Sequence, residues 1–134
     1  MIVVDSSVWI DHLNGVTTPE VEELGILVAS NVLVCVTGVI FTEVLRGISS
    51  EEQFELVEHD LSGFTFLRMN SPRDFADAAN LYRLARSAGV TVRNSADCLI
   101  AAPCIREGAW LLHNDRDFDN LAKVSDLKIW KPTA

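Results

Sequence analysis

Apolar positions along the chain fall into two patterns: short unbroken runs, and longer stretches in which they recur every three or four residues. Unbroken runs suit strands covered on both faces, and the recurring pattern suits helices that bury one stripe. Ile2-Val3-Val4 opens the series as a strand and runs straight into Asp5. An apolar segment of helical character starts at Val8 and ends near Asn14-Gly15, with Ser6 as its expected cap. Thr18-Pro19-Glu20 restarts a helix that carries Val21, Leu24, Leu27 and Val28 at helical spacing. Residues 32–36 are continuously apolar and predict a second strand, and a helix over 39–46 should stop at Gly47.

Ser50-Glu51-Glu52-Gln53 has the spacing of a capping box, and Phe54, Val57 and Leu61 give the helix it starts one apolar stripe. A short strand is expected over 64–67. Ser71-Pro72 opens a helix whose predicted buried face is Phe75, Ala78, Ala79, Tyr82 and Ala85, ending at Gly89. Asn94 or Ser95 caps the next helix, from Ala96 to about Glu107. Pro103 lies inside it and removes the bond to the Leu99 carbonyl, which predicts a kink or an early end. Residues 109–113 read as a strand, 114–117 as a polar loop, 118–122 as a brief helix and 127–130 as a last strand. Strand alternating with helix in this way predicts an α/β fold, a mostly parallel central sheet with helices on both faces.

Length and composition narrow the picture. A chain of 134 residues predicts a single domain, 1–134, with one core. An apolar share of 49% beside 22% charged residues excludes the disordered classes. The net charge of −8 argues against a general electrostatic hold on nucleic acid. A bound metal reverses the local sign where acids cluster, so such a partner stays open. The chain opens on a strand pattern without a basic leader, which predicts no signal peptide and a cytoplasmic location. Its most apolar stretch, 26–41, is broken by Ser30, Asn31, Thr37 and Gly38, so no membrane span is expected. Cys35, Cys98 and Cys104 sit in apolar sequence without a zinc-like pairing to histidine and read as buried reduced thiols.

Candidate chemistry lies with the acids. Asp5 ends the first strand, Glu43 lies on the helix after the second, Asp97 lies in the first turn of an otherwise apolar helix, and Asp115 follows Leu111-Leu112-His113. In doubly wound sheets the ligand crevice lies outside the carboxyl ends of the strands, where residues distant in sequence meet. Each acid alone has a plainer reading: Asp97 as a helix N-terminal acid, Asp115 and Asp117 as turn residues, Glu43 on a solvated face. Gathered together they would repel one another unless a cation neutralised them. Hard oxygen donors of this kind suit Mg²⁺ or Mn²⁺, and a metal so held activates water and polarises phosphoryl oxygens. Phosphodiester hydrolysis is the natural chemistry, with no phosphate loop, nucleophile elbow or HExxH element competing.

The stretches VVDSSVWID, GVIFTEVLRG, AGVTVRNSADCLIAA and LLHNDRDF, in this order and spacing, resemble the PIN-domain nucleases and most closely the VapC-like ribonuclease toxins of bacterial toxin–antitoxin pairs. That resemblance implies a three-layer α/β/α PIN-like domain and an endoribonuclease dependent on Mg²⁺, with Mn²⁺ able to substitute. It implies a cognate antitoxin as partner, and a homodimer or a toxin–antitoxin hetero-oligomer. By position, Asp5, Glu43, Asp97 and Asp115 stand at the family's acidic metal and catalytic residues. Asp117 is a candidate outer ligand or water-orienting residue. Ser6 stands at the small hydroxyl residue that follows the first acid, where it bonds a metal water or caps the helix. Ala96 in place of a bulkier apolar residue, and Pro103 in a commonly regular helix, depart from the family pattern without removing a ligand.

Arg46, Arg83, Arg86, Arg93 and Arg116 are candidate phosphate contacts near the site, and Arg116 stands equally ready to pair with Asp115 and Asp117. No alternation of aromatic and basic residues predicts base stacking, so RNA shape is the expected basis of selection. Two other functions fit the same acids: a catalytically silent module that binds a protein partner, and a nuclease directed at DNA. Trp9, Phe41 and Phe54 are candidates either for a dimer or antitoxin groove or for the core.

Overall fold

The computed structural model describes residues 1–133. Its elements, in chain order, are β1 (Ile2–Val4), α1 (Ser6–Leu13), α2 (Pro19–Ala29), β2 (Val34–Thr37), α3 (Gly38–Arg46), α4 (Glu51–Ser62), β3 (Thr65–Leu67), α5 (Pro72–Ser87), α6 (Ser95–Glu107), β4 (Trp110–Leu112), α7 (Arg116–Ala122) and β5 (Lys128–Ile129). The strands form one five-stranded sheet of order β3-β2-β1-β4-β5. Every pairing is parallel. Ile2, Val3 and Val4 are all buried although successive strand side chains point to opposite faces. Both faces of the sheet centre are therefore covered by helices, the three-layer α/β arrangement expected from the apolar runs.

The strand order carries the functional consequence. The chain builds outward from β1 through β2 to β3, then returns to the other side of β1 and builds outward again through β4 and β5. The order reverses between β1 and β4, and a crevice opens at their carboxyl ends at such a switch point. Asp5 follows β1 directly, and its backbone N–H reaches the Leu112 carbonyl on β4 at 2.9 Å. Asp115 follows β4 by three residues.

Caps explain most helix starts. Thr18, Thr37 and Ser50 each accept the backbone N–H of the third residue of their helices. A complete capping box occurs at Ser71 and Asp74, whereas at Ser50 only the serine half is seen. At α1 the cap is Asp5 and Ser6 is the first helical residue, which corrects the expectation that Ser6 caps. The carboxylate is the better acceptor for the exposed N–H groups.

Three further expectations are adjusted by tertiary structure. β2 begins at Val34, with Val32 and Leu33 exposed, because its register with β1 starts at Ile2 opposite Val34 and the last bond of the ladder is the one from the Ile2 N–H to the Leu33 carbonyl. The buried stripe of α5 is Ala78, Leu81 and Ala85, with Tyr82 half-buried, while Phe75 and Ala79 face outward. Small residues let α5 lie close along α6, so the narrow stripe rather than the larger aromatic meets the neighbour. Pro103 does not end α6, which runs on to Glu107 and closes on Gly108 at φ +65°. Ile100, Ala101, Pro103 and Cys104 are all buried, and their packing holds the helix across the missing bond.

Trp9 is buried, donates from Nε1 to the Val4 carbonyl at 3.1 Å and meets the edge of Phe64. Phe41 stacks edge-on against Phe66, and Phe54 packs on the same cluster. Trp9 is thus a core residue, whereas Phe41 and Phe54 are half-buried at the margin of the core. Cys35, Cys98 and Cys104 are buried and free. Among the described residues, no helix is long and apolar enough to cross a membrane.

Candidate metal centre

Asp5 ends a fully buried strand and is itself only 3% exposed. One carboxylate oxygen, Oδ2, accepts from the Ser7 backbone N–H at 3.1 Å and from the Ser7 hydroxyl at 2.6 Å. The other, Oδ1, is buried with no hydrogen-bond partner. Burial pushes the Asp5 carboxyl up to about 6; the Ser7 bonds oppose the rise and the Glu43 charge adds to it. An unpartnered buried acceptor costs about 1–3 kcal/mol, and more when charged, so Oδ1 calls for a positive partner.

Across the sheet's switch point, Asp97 is buried in the first turn of α6, where the Asn94 side chain caps the helix through the Ala96 N–H. Its carboxyl is pushed up to about 7, first by burial and then by the charges of Asp115, Asp5, Asp117 and Glu43. Every other candidate acid therefore acts on Asp97, as expected of groups gathered at one edge.

Asp115 caps α7, its Oδ1 accepting from the Asp117 N–H at 3.0 Å. Its own N–H donates to His113 Nδ1 at 3.0 Å. Asp117 is buried, and its Oδ2 accepts from the backbone N–H and the Nε–H of Arg93, both at 3.1 Å. The same guanidinium reaches Asp115 Oδ1 at 3.2 Å. Asp97, Asp115 and Asp117 each offer an oxygen to a group whose members lie within 4.8 Å of one another.

Glu43 reaches the edge of this cluster from α3. Half-buried, it accepts at Oε1 from the buried Ser6 hydroxyl at 3.0 Å, and Arg46 stands 4.0 Å from its Oε2. Ser6 thus steadies the second acid rather than the first, while Ser7 steadies Asp5. The Ser7 hydroxyl also accepts from the Asn114 N–H at 3.1 Å, tying the start of α1 to the loop that presents Asp115.

The predicted residues are therefore brought to one edge, with changed parts. Asp117, expected in an outer position, belongs to the tightest trio, while Asp5 and Glu43 border it through charge. Arg93, expected to meet RNA, lies on the acids, and Arg116 forms no ion pair among the described residues. Ser7 was missed, though an aspartate that caps a helix points to a partner at the second following residue. No local signal marks Arg93, which lies 22 and 24 residues from its partners.

An all-carboxylate donor set, a trio of close oxygens and an orphaned buried oxygen on Asp5 fit a hard divalent cation. A parallel doubly wound sheet with such a cluster at its switch point defines an α/β protein with an acidic metal centre. The chain belongs to the PIN-domain family, whose sequence profile matches residues 2–124, and within it to the VapC group. It is 36% identical over 131 residues to Ribonuclease VapC11 of Mycobacterium tuberculosis (strain ATCC 25618 / H37Rv), covering 96% of each chain. A chain of VapBC-1 from nontypeable Haemophilus influenzae shares the fold with a TM-score of 0.74 at 19% identity, covering 100% of both. A chain of VapBC2 from Rickettsia felis, solved bound to a DNA fragment from its promoter, does so with 0.73 at 20% identity, covering 98% of this chain and 100% of that one.

Proposed function

We propose that this chain, acting as a single nuclease domain, is an endoribonuclease and the toxin of a toxin–antitoxin pair, hydrolysing RNA phosphodiester bonds with Mg²⁺ or, in its place, Mn²⁺. The observation that carries the reading is the trio of close carboxylate oxygens beside the partnerless oxygen of Asp5. Likeness to ribonucleases of the VapC group supplies RNA as the substrate class, and likeness to chains of VapBC complexes supplies an antitoxin protein as partner. The working form is a homodimer or a complex with that antitoxin.

Asp97, Asp115 and Asp117 would hold the cation through their close oxygens, with Asp5 and Glu43 bordering them. When bound, the cation activates a water for attack and offsets charge on the phosphoryl oxygens. Ser7 holds Oδ2 of Asp5 through two bonds, which leaves the buried Oδ1 as the oxygen free for a cation. Glu43, held by the Ser6 hydroxyl and half-open to solvent, orients the attacking water and accepts its proton. Asp97, its carboxyl pushed up to about 7 by burial and the neighbouring acids, is the acid whose ionised form a cation would favour most.

Purified protein incubated with total cellular RNA and Mg²⁺ tests the proposal. Wild type is expected to cut RNA and leave a matched DNA intact. Asp5→Asn and Asp97→Asn should each lose more than the roughly 100-fold that an outer metal partner is worth. Undiminished cleavage by both variants overturns the site, and preferential digestion of DNA overturns the substrate.

A further inference from the structure

Beside the acids lies a polar cleft of about 580 Å³ whose lining includes Asp115, Arg93, Arg116, Lys131, Ser7 and Asn114. Three cations, Arg93, Arg116 and Lys131, meet three acids there, Asp115, Glu20 and Asp119, so the cleft is balanced in a chain whose net charge is −8. Arg93 is committed to Asp115 and Asp117. Arg116 is exposed and forms no ion pair among the described residues. The Lys131 side chain is 73% exposed and, among the described residues, pairs with Asp119 at 3.5 Å, an acid that His113 Nε2 also meets at 3.1 Å.

Lys131 is held in place from an unexpected direction. Glu23 on α2 is 2% exposed, and both its oxygens are used by the segment after β5. Trp130 Nε1–H donates to Oε2 at 2.7 Å and the Thr133 hydroxyl donates to Oε1 at 3.1 Å. These bonds fall on either side of Lys131. The Trp130 backbone N–H also bonds the Leu111 carbonyl at 2.8 Å, so ladder and clasp together fix where the lysine emerges. Burying a carboxylate is costly unless both oxygens are satisfied, and here the donors are those of the lysine's own neighbours.

We propose that this cleft binds the RNA phosphate flanking the scissile bond, gripped by Arg116 and Lys131, with Glu23 as the positioning residue for Lys131. The inference rests on the ribonuclease reading above. General attraction is unfavourable for an acidic chain, so an RNA backbone leading to the acids needs fixed cations next to them. Arg116 supplies one from the first residue of α7, and Lys131 supplies the other from the clasped segment.

The test is the salt dependence of cleavage of a fluorescent single-stranded RNA, read as log kcat/KM against log salt at constant Mg²⁺. Each phosphate contact on a single strand contributes about 0.7 to the slope. Arg116→Ala and Lys131→Ala are each expected to flatten the slope by about 0.7 with KM raised several-fold, while Lys131→Arg retains it. Glu23→Ala should flatten it as Lys131→Ala does, and the two together should flatten it no further. Trp130→Phe removes one clasp bond while keeping an aromatic ring in place, and should move the slope the same way if Glu23→Ala does not fold. The rise in melting temperature on adding Mn²⁺ should be the same in all these proteins. Wild type that cuts no RNA overturns the ribonuclease reading; wild type that cuts, with a slope indifferent to both Arg116 and Lys131, overturns the cleft assignment alone. A slope that responds to Lys131 but not to Glu23 or Trp130 overturns the positioning role.

Discussion

Asp5 is asymmetric at the level of single atoms: Oδ2 is bound twice by Ser7 and Oδ1 by nothing. The Ser7 hydroxyl is the group that keeps the charged form within reach, since its bond lowers the Asp5 pKa against burial. Ser7→Ala should therefore raise the Asp5 pKa above its value of about 6 and weaken Mn²⁺ binding by roughly 10–100-fold, read by carboxyl NMR titration and by calorimetry. An unchanged pKa would show that the hydroxyl is a bystander. The principal acids were legible in the sequence because each adjoins an apolar run, Asp5 and Asp115 after one and Asp97 before one, where a charge is hard to explain structurally. Ser7 and Arg93 were not. Serine in a first turn is ordinary capping material, and the bonds of Arg93 depend on a loop folding back over α7.

At the scale of elements, α6 connects the core to the site, since the helix that carries Asp97 in its first turn also buries Ile100, Ala101 and Cys104. It is closed by Gly108 in the left-handed region, φ +65°, where a side chain is strained. Gly108→Ala is expected to cost about 1–2 kcal/mol, measured by denaturant unfolding, with the metal affinity kept because the strain lies at the end remote from Asp97. Equal stability would mean the left-handed turn is not required. The starts of α2, α4 and α5 were legible from their caps and the inner strands from their unbroken apolar runs, whereas at α1 and α7 an aspartate read for its chemistry turned out to be the cap. The start of β2 and the buried face of α5 were not, because pairing register and a close helix neighbour decide them. Pro103 misled for a related reason: a proline penalty is local, and the buried residues around it outweigh it.

For the molecule as a whole, the acidic edge is a place where stability is given up. Asp5 and Asp97 have carboxyls raised to about 6 and about 7 from an ordinary 3.8, so the metal-free folded state binds protons more tightly than the unfolded chain. Their contribution to stability is complete below pH 3.8 and is lost as pH rises through 6 and 7. The melting temperature of metal-free protein, relative to an Asp5→Asn/Asp97→Asn protein, should accordingly fall across that window. A difference independent of pH would show that these acids are not held in the environment described. The order β3-β2-β1-β4-β5 places this sacrifice at the switch point, where a ligand can repay it. Parallel pairing was predictable from the alternation of elements; the gathering of Asp117 into the tight trio depended on the loop before α6 and could only be seen in three dimensions.

The central claim is that the acids together form a seat for a divalent cation, and calorimetric titration of Mn²⁺ at pH 7 in buffers of different ionisation enthalpy tests it most directly. Saturable binding to wild type is predicted, with proton release as Asp97 and Asp5 ionise, and with affinity largely lost in Asp97→Asn. Saturable binding of equal strength in wild type and Asp97→Asn, or no saturable binding by wild type, would contradict it.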